Sequence, residues 1–317
     1  MRLKIIAVFL IIMLIFLTIL FFPVKRNYTF FAFSTVCNIT FYNLNIFEFK
    51  KMTSKAKKLC EIYEKKYSVN INNSLISNLN LYKKIPKDDE LAEILLLSKK
   101  VSEKLNGKFD ITIQPILKLW GFDNGLFKKP DDNDIKRELE NVDFKQIKIT
   151  ENSIIIGENQ LINTGAFSKG LIIDKVYELF VKDNIDEFLI EFGGDIRVFS
   201  KKNKIFKIAI KNPETNDINK VLNIKSGQSV ATTGDYERFF EFEKIKYHHI
   251  ISGITGYPEF NIRSVTVISD NALNADMLST AFFLADYNTI LKNSELFPFE
   301  ECYFFEKDSK DYKIIKK

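Results

Sequence analysis

The sequence predicts an α+β fold, and two observations carry that reading. Segments with strand character and segments with helical apolar spacing alternate irregularly, which argues against a doubly wound parallel sheet. The composition is that of an ordinary globular protein, with 46% apolar and 27% charged residues. The 317 residues support one large domain or two fused subdomains. No internal repeat is visible.

Residues 5–22 read I-I-A-V-F-L-I-I-M-L-I-F-L-T-I-L-F-F, close to the roughly 20 apolar residues that cross a bilayer. Arg2 and Lys4 precede the run, and it ends in Phe21, Phe22 and Pro23 with no small-x-small cleavage site. An uncleaved membrane anchor over residues 1–24 is therefore expected rather than a signal peptide, with one domain at 25–317. Arg2 and Lys4 favour a cytoplasmic N-terminus, although Lys25 and Arg26 compete from the other side. The bulk of the chain is read as exported, on the periplasmic or extracytoplasmic face. The net charge of +5 is spread thinly without a dense basic block, which points away from nucleic acid. Cys37, Cys60 and Cys302 form no C-x-x-C pair, so zinc is unsupported and at least one thiol stays free.

The elements follow in order. Residues 35–41 read as a strand. Residues 54–66 carry helical apolar spacing at Ala56, Leu59, Cys60 and Tyr63. An Asn/Ser-rich stretch at 68–80 separates this helix from a second at 88–105. The second opens on acidic residues that suit the helix dipole and stops at Asn106-Gly107. Residues 109–122 look irregular and apolar, holding Pro115 and the sole tryptophan, Trp120. A third helix is expected at 131–140, a hairpin-like pair at 147–156 and a fourth helix at 169–181. Strands are expected at 188–192, 206–211, 220–224, 229–232, 236–241 and 265–269. Gly193-Gly194 most simply closes the first of these in a tight turn.

Two late segments carry the chemistry. Residues 247–258, Y-H-H-I-I-S-G-I-T-G-Y-P, contain both histidines and read as a polar loop closed by a turn. Residues 264–281, S-V-T-V-I-S-D-N-A-L-N-A-D-M-L-S-T-A, read as a strand entering a helix. Asp276 and Thr280, four apart, share one face of that helix. Their oxygens are hard ligands suited to Mg²⁺, which keeps waters and takes substrate phosphates. By spacing alone the pair more often describes an exposed Asp and a Thr bonding back to its own helix.

Several segments, in order, resemble the FAD:protein FMN transferase (ApbE) family. They are Ala32-Phe33-Ser34-Thr35; Ser68, Ser74, Ser77, Leu79 and Asn80; and Gly107-Lys108-Phe109-Asp110-Ile111-Thr112 through Pro115 to Leu119-Trp120-Gly121-Phe122. Asn163-Thr164-Gly165-Ala166-Phe167-Ser168-Lys169-Gly170 with Asp174, then Gly193-Gly194-Asp195-Ile196 and Ala231-Thr232-Thr233-Gly234-Asp235-Tyr236, follow. The two histidine and aspartate segments complete the set. The resemblance covers essentially everything after the apolar run, and it implies mixed, mainly antiparallel sheets with flanking helices.

The resemblance further implies transfer of FMN from FAD to a threonine or serine hydroxyl of a partner, with release of AMP. The implied partners are exported or membrane-bound redox proteins. Mg²⁺ would be held by Asp276, Thr280 and the backbone carbonyl of Ala166, where Gly165 lets the chain approach a ligand. The helix beginning near Lys169 would offer free N–H groups to an anion, and Lys169 itself resembles a phosphate or flavin contact. His249 would contact FAD or act as acid or base, with Asp276 as the second catalytic residue. Phe33, Asn70, Lys108, Phe109, Asp110, Asn163 and Ile250 fall at flavin-site positions. Asp110 serves equally well as an Asx turn, and His248 stands where the family often has a small residue.

The chain departs from the family at several points. Asn163 replaces the usual Asp and can hydrogen-bond but carry no charge. Ser252, Gly253 and Ile254 replace D-P-R/K, Phe33 replaces Met, and Asn70 stands where an aromatic is common. Two other readings stay open on these grounds: a Mg²⁺-dependent FAD pyrophosphatase yielding FMN and AMP, and a non-catalytic FAD-binding membrane protein.

Overall fold

A computed structural model describes residue 10 and residues 22–317 except 216. Apart from residues 10 and 22, the expected membrane span lies outside the described residues. Among the described residues no helix is long and apolar enough to cross a membrane.

The chain opens with a hairpin, β1 (Val24–Ala32) and β2 (Thr35–Leu44), then the long helix α1 (Ile46–Tyr67). Next come α2 (Leu75–Tyr82), β3 (Lys84–Pro86), α3 (Asp89–Lys104), α4 (Gln114–Leu119), α5 (Asp132–Leu139), β4 (Lys148–Ile149) and β5 (Ser153–Ile155). Helix α6 (Ser168–Lys182) leads into β6 (Glu187–Phe192) and β7 (Asp195–Ser200). The strands β8 (Phe206–Lys211), β9 (Ile218–Ile224), β10 (Ser229–Gly234), β11 (Phe239–Phe242), β12 (Ile245–His248) and β13 (Ile262–Ser269) follow. The chain ends through α7 (Ala272–Ala285), α8 (Tyr287–Asn293), β14 (Glu301–Glu306) and β15 (Lys313–Lys316).

Eight strands form one sheet in the order β1-β2-β6-β7-β10-β13-β14-β15. Every neighbouring pair is antiparallel, as the α+β reading expects. Helix α6 packs on β6 and β7, and α7 on β10 and β13. The helices α1 and α6 bury Met52, Ala56, Cys60, Ile172, Val176 and Phe180 against Phe41, Phe188 and Ile190 of the sheet. Each of the larger of these side chains, Met, Ile, Val or Phe, contributes about 1.5–3 kcal/mol of transfer free energy. Strand β13 is buried along nearly its whole length.

Several boundaries differ from the sequence reading. The Asn/Ser-rich stretch contains α2, because the Ser74 hydroxyl accepts from the Ser77 N–H at 2.8 Å and caps it. The irregular apolar stretch contains α4, with Pro115 in its first turn, where proline's missing N–H costs nothing. The strand expected from 236 begins only at Phe239, since residues 235–237 form a turn. The supposed polar loop begins as β12, which carries Tyr247 and His248. Strands β1, β3, β7, β14 and β15 were not anticipated.

Candidate active site

Helix α7 is buried around almost its whole circumference. A helix of that kind is normally apolar throughout, so the 3% exposed Asp276 needs an explanation. An unpaired carboxylate would be strongly penalised there. Asp276 Oδ2 accepts the Gly170 N–H at 2.8 Å, and its Oδ1 lies 3.8 Å from the Lys169 ammonium. Lys169 in turn binds Asp195 Oδ2 at 2.5 Å. The N-terminus of α6 therefore does receive an anion, and that anion is the protein's own Asp276.

Asp174, further along α6, accepts the N–H groups of Ala272 at 2.8 Å and Leu273 at 2.9 Å. It thus satisfies donors left open in the first turn of α7. Arg197 of β7 pairs with the same carboxylate and donates to the Asp270 carbonyl at 3.0 Å. Its guanidinium also stacks 3.7 Å from the Tyr177 ring. These contacts fix where α7 starts and hence where Asp276 sits.

The side chains converge on a cavity of about 910 Å³. Of the residues singled out in the sequence, Phe33, Asn70, Phe109, Asp110, Asn163, Ala166, Lys169, His249, Ile250, Asp276 and Thr280 line it. Lys108 is not among the lining residues; its ammonium faces Asp286 at 3.8 Å. Phe33 and Ser34 close the β1–β2 hairpin with φ of 52° and 57°. The turn matches the strand twist but is unfavourable for a bulky residue. The Phe33 N–H is held by Glu64 Oε1 at 2.8 Å, which keeps the turn at the cavity wall.

Asp110 resolves toward its structural alternative. Its Oδ1 accepts the Thr112 N–H and hydroxyl, both at 2.8 Å, and its Oδ2 accepts the Phe144 N–H at 2.8 Å. Burial raises its pKa while those bonds oppose the rise. Thr280 bonds to Thr233 Oγ1 at 3.2 Å and only distantly, at 3.5 Å, to its own helix carbonyl at Asp276. Its hydroxyl is thus not committed to helix back-bonding. Gly193 and Gly194 form the β6–β7 turn with positive φ, as expected. Asp195, the residue after them, is the group that sequence reasoning missed: its motif read as a turn, and only the Lys169 contact exposes its part in the site.

Electrostatics sharpen the picture. Burial raises the pKa of Asp276, helped by the charges of Asp195 and Glu237 and opposed by Lys169 and the Gly170 N–H. Asp195 is raised by the same burial, against Lys169. Burial works against the Lys169 ammonium, but Asp195, Asp276 and Glu237 outweigh it and hold its pKa above the ordinary lysine value. Asp195 and Asp276 thus flank Lys169, and the charge of Glu237 adds to theirs. Among the described residues no three His, Cys, Asp or Glu side chains gather into a metal cage. The hard oxygens of Asp276 and Thr280, on the cavity that Ala166 also lines, fit a cation such as Mg²⁺, which needs few protein ligands.

The histidines have different places. His248 is 2% exposed, its Nε2 donates to the Glu259 carbonyl at 2.7 Å, and its Nδ1 accepts the Ile250 N–H at 3.3 Å. Both nitrogens are occupied, so His248 is structural. His249 lines the cavity, and its Nδ1 lies 3.2 Å from the Arg238 carbonyl. A carbonyl only accepts, so Nδ1 carries the hydrogen and Nε2 keeps a free lone pair. Burial, then the Arg238 charge, pushes its pKa down to about 3, leaving the ring neutral at pH 7.

The family model described as "ApbE family" matches residues 33–300. A protein from Buchnera aphidicola named FAD:protein FMN transferase is 30% identical over 231 residues, covering 68% of this chain and 67% of that protein. One of the same name from Treponema pallidum is 28% identical over 232 residues, covering 66% of this chain. That match spans 63% of the Treponema protein's length. Among solved structures, the ApbE protein of Thermotoga maritima superposes with a TM-score of 0.83 at 24% identity, covering 92% of this chain and 96% of that one. The flavinyl transferase ApbE of Pseudomonas stutzeri, in its apo form, gives 0.79 at 20% identity, covering 94% and 96%. These two likenesses show the fold, and the family match covers most of the chain. The chain belongs to the ApbE family.

Proposed function

We propose that this protein is a Mg²⁺-dependent FAD:protein FMN transferase that moves FMN from FAD onto a threonine or serine hydroxyl of a partner protein and releases AMP. The observation that carries the proposal is the meeting of Asp276, Thr280, Ala166, Lys169 and His249 on one cavity. Curated relatives bear the transferase name, which supports the same reading.

The acceptor hydroxyl attacks the phosphorus on the FMN side of the pyrophosphate. A new oxygen–phosphorus bond forms, the bridging bond breaks, and AMP leaves with the bridging oxygen. His249 Nε2 would take the hydroxyl proton, and the approaching pyrophosphate would raise its basicity by opposing Arg238 and Lys169. Asp276, Thr280 and the Ala166 carbonyl would hold Mg²⁺, which when bound neutralises charge on the pyrophosphate oxygens. Lys169, pinned by Asp195, adds positive charge without rotamer freedom to lose. Positioning and electrostatics do most of such phosphoryl chemistry.

The acceptor is proposed to be an exported or membrane-bound redox protein. The apolar run at 5–22 supports a single-pass anchor, with the catalytic domain on the extracytoplasmic side. Incubating the purified chain with FAD, Mg²⁺ and a panel of exported redox proteins from the same organism tests the proposal. In-gel flavin fluorescence on an acceptor together with AMP release is expected. FMN and AMP formed without any acceptor identify a pyrophosphatase instead, and intact FAD with dark acceptors rejects both activities.

A further inference from the structure

The segment that reaches Asn163 runs beside residues 111–113. Leu161 bridges Ile113 in parallel fashion, and the Asn163 N–H donates to the Ile111 carbonyl at 2.7 Å. This places the Asn163 amide against the side chain of Gln114, the first residue of α4. Asn163 Oδ1 accepts the Gly165 N–H at 2.8 Å. That contact fixes the amide's orientation, because the opposite flip would set two donors against each other. Asn163 Nδ2 must then face Gln114, and it donates to Gln114 Oε1 at 2.5 Å. With its oxygen so engaged, Gln114 presents its NH₂ on the other side.

Gln114 is 4% exposed and lines the cavity. Its NH₂ group has no acceptor among the described residues. The nitrogen is open to the cavity rather than sealed in the core, so it is free to donate to whatever occupies that space. Among the residues lining the same cavity are the apolar side chains of Phe109, Ile111, Ile113, Leu117, Ile250 and Ile251. A flat, mostly apolar ring with acceptor atoms on one edge meets both requirements. The isoalloxazine of oxidised FAD is such a ring, with carbonyl oxygens and unprotonated ring nitrogens.

Resting on the proposed use of FAD, we infer that Gln114 is a specificity-determining residue: its NH₂, aimed by the Gly165–Asn163–Gln114 relay, donates to the polar edge of the flavin ring. The uncharged Asn163 is what makes this possible. A carboxylate there would accept from Gly165 and from Gln114, turning the glutamine's oxygen toward the ligand. Asn163→Asp and Gln114→Leu should therefore cause the same loss by different routes.

The test is equilibrium binding of FAD and of ADP, with Mg²⁺, to the full chain and its variants. FAD binding is read by flavin fluorescence and ADP binding by calorimetry. Gln114→Leu should weaken FAD about tenfold, the worth of one donor to a buried acceptor, with ADP affinity unchanged. Asn163→Asp should weaken FAD similarly, and the double variant should be no worse than Gln114→Leu alone. Equal loss of ADP and FAD, unaltered FAD affinity in Gln114→Leu, or additive losses would overturn the inference. Failure of the unaltered chain to bind FAD would instead sink the parent reading.

Discussion

Gly170 lies so close to α7 that a Cβ added there would fall 2.3 Å from the Ala272 carbonyl oxygen and 2.8 Å from the Asp276 Cβ. The absence of a side chain on α6 is what lets its backbone N–H reach the carboxylate at 2.8 Å. The glycine acts through close approach, since its backbone lies outside the left-handed region.

Gly170→Ala should accordingly push α6 and α7 apart. Overpacking of this kind costs about 1–3 kcal/mol, so a lowered Tm is expected. A larger proportional loss of Mg²⁺-dependent activity should accompany it, because Asp276 moves with the helix. An alanine variant with the parental Tm and Mg²⁺ response would show that this approach is not needed.

Asp276→Asn keeps the shape but removes the charge that a divalent cation requires. FAD affinity of the unaltered chain should rise on adding Mg²⁺ and fall again with EDTA. The variant should show neither response in calorimetry. Transfer should drop by at least the 10²–10³ typical of lost transition-state charge stabilisation.

His249 should stay neutral across the physiological range before nucleotide binds. Its pKa of about 3 places protonation well below pH 5. The imidazole resonances of the nucleotide-free protein should show no inflection between pH 5 and 8. His249→Ala should lower transfer roughly 10²–10⁴-fold, the usual worth of a general base, while FAD binding changes little. A clear inflection near pH 6.5 would contradict the geometry.

Glu90 joins three helices. It accepts from Tyr63 at 3.0 Å, Tyr67 at 2.7 Å and Lys66 at 3.0 Å on α1, and it pairs with Lys175 of α6 at 3.0 Å. Burial acts to raise its pKa, but these four partners outweigh it and lower the value to about 2. An unfolded glutamate titrates near 4.3. Its contribution to stability is therefore complete above that pH and is lost as pH falls from about 4.3 toward 2. Glu90→Gln should destabilise the fold by roughly 1–3 kcal/mol at pH 7 and flatten the acid limb of a denaturation series. An unchanged acid limb would show that the cluster is not linked to folding.

Much of the framework was legible in the sequence. The helices α3, α5 and α6 and the strands β6, β8 and β10 lie within a few residues of their expected places, because each carries a clear period or an end signal. The two-stranded pair after residue 147 was visible for the same reason. Helix α2 was not, since its cap is a serine among many serines and asparagines. Lys108 was assigned from its motif alone, whereas its neighbour Asp286 was set by packing. Asp195 looked like part of a turn, which it is, and also holds Lys169, which no local pattern could announce.

The sequence by itself determined the order of most elements and the set of motifs that mark the family. Only the tertiary structure decided how those motifs meet. It brought Gly170 to Asp276 across 106 positions, Asn163 to Gln114 across 49 and Lys169 to Asp195 across 26. The physical reason is that burial, charge balance and the direction of an amide belong to the packed neighbourhood. A residue's type says what it can donate or accept, and the fold says to whom.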